Sequence, residues 1–71
     1  LFERFGVAED AYNAACAHAR AGRPDEGLRW LERAVESGYH DLAHLEADED
    51  LAAVRALPGY AALRARLDAE A

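Results

Sequence analysis

The sequence predicts an all-α fold: an antiparallel helical hairpin, then short capping helices and a C-terminal helix. Three observations carry this expectation. Good helix formers (Ala, Leu, Glu and Arg) dominate, Val is the only aliphatic β-branched residue, and Ile and Thr are absent. Gly22 and Gly38 stand where helices of ordinary length end, and Pro24 stands where one begins. Between these marks apolar residues recur at helical spacing rather than alternating. Seventy-one residues make one domain, close to the lower limit for burying a core unaided.

Residues 1–7 form an apolar N-terminal segment carrying Leu1, Phe2, Phe5 and Val7, a cluster suited to a neighbouring surface. A first helix is expected from about Ala8 to Ala21, closed by Gly22. Ala11, Ala14, Ala15 and His18 give it a face of small residues for close packing. On its other side Glu9, Asn13, Cys16 and Arg20 recur as a polar stripe, flanked by Tyr12 and Ala19. Pro24, followed by Asp25 and Glu26, opens a second helix that runs to Ser37. Gly27, Leu28, Trp30, Leu31, Ala34 and Val35 fill one continuous arc of it, wide enough to cover two neighbours. So short a turn between the two helices makes them antiparallel. Residues 40–71 then break into shorter pieces. Asp41 caps a helix bearing Leu42 and Leu45, Asp48 caps one bearing Leu51 and Val54, and Pro58 opens the last, with Tyr60, Leu63 and Leu67 on one face.

The segment YNAACAHARAGRPDEGLRWLERAVESGY, Tyr12 to Tyr39, resembles a tetratricopeptide repeat without gaps. Ala15, Gly22, Gly27, Leu31 and Ala34 fall on its small, turn and large apolar positions, while Ala11 and His18 replace its usual Trp and Tyr. The whole order is similar to the bacterial TPR end-of-group domain. That order runs Tyr12-Asn13-Ala14-Ala15-Cys16, Gly38-Tyr39, Asp48-Glu49-Asp50-Leu51 and then Pro58-Gly59-Tyr60-Ala61-Ala62-Leu63. The resemblance implies a TPR-like hairpin over residues 8–39 with a C-terminal cap, acting as a protein–protein interaction module. It also implies that Glu9, Tyr12, Asn13, Cys16, Ala19 and Arg20 face a protein or peptide partner, the same residues that periodicity puts in the polar stripe. The alternatives are a structural cap or self-association unit docking through the apolar N-terminal end, or an accessory domain of a larger bacterial enzyme or regulator.

Charge and chemistry narrow the field. The net charge of −6 argues against nucleic acid and anionic membrane as partners. All eight basic residues are Arg, which removes lysine chemistry and fits a GC-rich bacterial genome. The single Cys16 allows no intrachain disulfide and suits a reducing cytoplasm, the expected location. Cys16 and His18, two apart on a helix, point in different directions and make no catalytic pair. His40 and His44 are separated by the expected cap at Asp41, and the acidic run 48–50 lacks the glycine and later Glu of a calcium loop. No catalytic residue, metal or cofactor is therefore assigned, and the chain is read as non-enzymatic.

Overall fold

A computed structural model describes residues 2–70, with side chains from Gly6 to Ala69. The described chain is helical, with turns and no strand: α1 (Phe2–Arg20), α2 (Pro24–Glu36), α3 (Leu42–Ala47), a 3-10 turn (Glu49–Leu51) running into α4 (Ala52–Arg55), and α5 (Tyr60–Glu70). None of these helices is long and apolar enough to cross a membrane.

Helix α1 begins well before the expected Ala8. Gly6 costs a helix interior only about 1 kcal/mol, too little to stop it. Residues 2–7, assigned to an N-terminal segment, are thus its first turns. Both early helices end in Schellman motifs. Gly22 and Gly38 take φ of +83° and +115°, left-handed conformations that cost a Cβ-bearing residue energy. Arg23 N–H then reaches back to the His18 carbonyl and Tyr39 N–H to that of Ala34, both at 2.9 Å.

Helices α1 and α2 pack side by side along most of their lengths. His18 meets Arg23 near the turn, Ala15 and Ala19 meet Gly27, and Ala11 and Ala14 share a groove with Trp30. That reversed order makes the pair antiparallel, as the short connection requires. Gly27 permits the closest approach. A Cβ there would lie 3.0 Å from the Ala15 carbonyl oxygen and 3.1 Å from Val54 Cγ2.

The expected arc of α2 is the one that is buried: Gly27, Leu31, Ala34 and Val35 fully, Leu28 and Trp30 in part. Its second neighbour is the C-terminal half of the chain. Leu45, Leu51, Val54, Tyr60, Leu63 and Leu67 close one continuous core with Leu31 and with Ala11, Tyr12, Ala15 and Cys16 of α1. Emptying any of the fully buried leucines would cost about 2–5 kcal/mol. The last helix starts at Tyr60 rather than Pro58. Pro58 and Gly59 form a turn closed by Tyr60 N–H on the Leu57 carbonyl, a use that Pro-Gly favours.

Candidate functional site

The acidic run after α3 decides how much of the α1 stripe remains open. Asp41 and Asp48 act as the caps expected of them. Asp41 Oδ1 accepts the His44 N–H, and Asp48 Oδ1 accepts that of Asp50, each at 3.0 Å. Arg55 secures the junction by donating to the carbonyls of Leu45 and Asp48 at 2.8 and 2.6 Å. So placed, the second oxygen of Asp48 lies against α1. It accepts the Tyr12 hydroxyl at 2.6 Å and lies 3.7 Å from Cys16 Sγ. Two residues on, Asp50 pairs with Arg20 at 3.1 Å, a contact too exposed to be worth more than about 1 kcal/mol.

The six stripe residues therefore separate into two groups. Tyr12 and Cys16 are buried, Ala19 is half-buried against the core, and Arg20 is engaged by Asp50. Glu9 and Asn13 keep open, exposed positions, and Arg20, although paired, is exposed as well. Periodicity places all six on one side of the helix. It carries no information about which of them a later segment covers.

The covered half has its own electrostatics. Burial, then the Asp48 hydrogen bond, raises the pKa of Tyr12 well above the ordinary phenol range. Burial, then the Asp48 charge, pushes the Cys16 thiol up to about 11. Asp48 is held below the usual carboxyl value chiefly by the Tyr12 hydroxyl. Cys16, Asp48 and Asp50 bring their donor atoms within 4.8 Å of one another, close enough to suggest a metal site. Each already has a protein partner, however, and a thiol raised this far is the reverse of a preformed thiolate ligand.

The open half is a groove of about 410 Å³ lined by Glu9, Tyr12, Asn13, Tyr39, Asp41 and His44. Tyr12 and Tyr39 stack on its floor, centroids 4.7 Å apart and planes 20° apart, and the His44 ring lies 5.5 Å from Tyr12. Tyr39 is half-buried and donates its hydroxyl to the Asp41 carbonyl at 3.1 Å. Burial pushes its pKa up to about 12. Tyr39, Asp41 and His44 are the lining residues that the sequence did not offer as site candidates. Their signal was the Schellman glycine at Gly38, which turns the chain back across α1.

A second groove of about 330 Å³ lies on the hairpin's other side, lined by Val7, Asp10, Ala11, Ala14, Trp30, Arg33, Glu36 and Ser37. Val7 is 51% exposed. Trp30 is half-buried beneath the Arg33 guanidinium, 5.0 Å from the ring centre, and stacks on His18. His18, expected on the close-packing face of α1, is not buried in the core. It sits half-exposed at the hairpin turn, where Nδ1 accepts from Arg23 Nε at 3.2 Å and lies 3.3 Å from Glu26. Leu1 and the side chains of Phe2 and Phe5, the rest of the apolar N-terminal cluster, lie outside the described residues.

No family model and no solved structure matches the chain. It is similar to a chloroplastic protein of Arabidopsis thaliana, at 38% identity over 45 residues. That stretch is 63% of this chain but 13% of the plant protein, so the similarity is to a small part of a much longer polypeptide.

Proposed function

We propose that the chain is a protein-interaction module of TPR-like type, its hairpin and C-terminal cap holding a segment of a partner protein in the Glu9–Asn13 groove. One observation carries the reading. The stripe implied by the family resemblance has an open end, and that end is a groove with a rigid aromatic floor and polar walls on two separate elements. Few convergent polar groups over an aromatic surface suit recognition of a peptide. A non-catalytic role is part of the proposal. It is supported by Cys16, the strongest potential nucleophile, being buried and raised rather than lowered in pKa. The free thiol also fits a reducing compartment.

The test is selection of peptides from a displayed library on the immobilised chain, then binding to a Glu9→Ala/Asn13→Ala variant. Both positions are exposed, so circular dichroism should be unchanged while affinity falls about tenfold or more. Selected peptides that bind the folded variant undiminished would remove the groove from consideration.

A second reading rests on the other groove. Exposed Val7, small Ala11 and Ala14, and half-buried Trp30 form an apolar strip bordered by Asp10, Arg33 and Glu36. It suits a packed neighbour, either another helical hairpin or a second copy, as in a structural cap.

A further inference from the structure

The groove that carries the proposed function has a marked charge character. Two of its lining residues, Glu9 on α1 and Asp41 before α3, are carboxylates, and no Arg lines it. Asp41 commits Oδ1 to the His44 N–H, and neither Glu9 nor Asp41 forms an ion pair among the described residues. The cation nearest along the stripe, Arg20, is engaged by Asp50. The same groove has an aromatic surface rather than an aliphatic one. Tyr12 is fixed by its bond to Asp48, and Tyr39, half-buried, stacks on it and lines the groove. Asn13 adds an amide that can both donate and accept beside this surface.

Two carboxylates from separate elements lining one groove with a tyrosine are complementary to a planar cation. A guanidinium can lie against the ring while its outward N–H groups reach carboxylates on either side; an ammonium has neither the plane nor the fork. We propose that the groove takes the arginine side chain of an extended protein segment, with Tyr39 as the stacking surface, Glu9 and Asp41 as the charge partners, and Asn13 meeting the segment's backbone. The inference rests on the proposed peptide-binding function and adds the chemistry of its ligand. The chain's net charge of −6 favours the same basic partner at long range. The second groove differs in kind, because Arg33 stands among its acids and the local charge is mixed.

The experiment is an amide-shift titration of the isotope-labelled chain by NMR, with a short acetylated Gly/Ser peptide carrying arginines as the probe. The same peptide with citrulline, the neutral isostere of arginine, is the control. The arginine peptide should move the amides of Asn13, Tyr39, Asp41 and His44. The citrulline peptide should bind at least about tenfold more weakly, as should the arginine peptide on Glu9→Gln/Asp41→Asn, losing two exposed charge contacts. Asn still caps α3 in that variant, so its fold is kept. Equal binding of the citrulline peptide overturns the inference, as do arginine-induced shifts elsewhere or none. Library-selected peptides without basic residues that shift the groove amides would sink the arginine claim and leave the peptide-binding function standing. If no peptide of either kind moves those amides, both fall.

Discussion

Gly27 and Gly6 are both helical glycines, yet their surroundings give them opposite expected responses to alanine. A methyl at Gly27 meets the Ala15 carbonyl, which is helix backbone and cannot yield, and Val54 behind it. Overpacking of this sort costs about 1–3 kcal/mol, against about 1 kcal/mol gained from better helix propensity. Gly6 is exposed, with nothing among the described residues within 4 Å of such a methyl. Gly27→Ala should therefore lower stability and Gly6→Ala raise it by about 0.5–1 kcal/mol, read from urea unfolding midpoints. A stabilising Gly27→Ala would show that α1 and α2 do not approach this closely. The importance of Gly27 was legible in the sequence, because a lone glycine inside an apolar arc signals contact. The role of Asp48 was only half legible. Its capping followed from its place before Leu51, but its bond to Tyr12 crosses 36 residues, and no local pattern records it.

Helix α2 was the most readable element, since its period, its proline start and its glycine stop all agree. The start of α1 and the start of α5 were less so. Gly6 is too weak a breaker to end a helix, and Pro58 serves the turn rather than the helix after it. Around the core, side-chain bonds that respond to pH tie Asp48 to α1 and α3 to α5. Asp48 is held below its ordinary 3.8 by the Tyr12 hydroxyl, and Glu46 below its ordinary 4.5 by Tyr60 and then Arg64. The unfolded chain binds these protons at higher pH than the folded one. The stabilisation is thus complete above about pH 5 and lost as pH falls through the folded values. At the alkaline side the folded values are the higher ones. Burial pushes Cys16 up to about 11 from 9.0, and burial with the Glu46 bond pushes Tyr60 up to about 12 from 10.0. The unfolded chain loses those protons first, so their contribution holds below about pH 9 and fades as pH rises through the folded values. Urea unfolding across pH should show a plateau between these limits, and Asp48→Asn should flatten the acid limb. An acid limb unchanged by that substitution would mean the Tyr12–Asp48 bond is not made in solution.

Taken whole, the molecule is a helical hairpin whose own C-terminal half covers both its core side and half of its polar stripe. The all-helical character and the single core were readable from composition and period. The division of the stripe was not, because it depends on where residues 48–50 return, and that is set by the turn at Gly38 and the anchoring of Arg55. The proposed function depends on this division, with Cys16 closed and Asn13 open. Reaction with a thiol reagent at pH 8 measures it directly, comparing Cys16 in the native chain with the thiol introduced by Asn13→Cys in a Cys16→Ala background. With its pKa near 11 against an ordinary 9.0, and with burial besides, Cys16 should react about a hundredfold or more slowly than that introduced thiol. Comparable rates in the folded chain would contradict the closed stripe, and the groove's boundaries would fail with it.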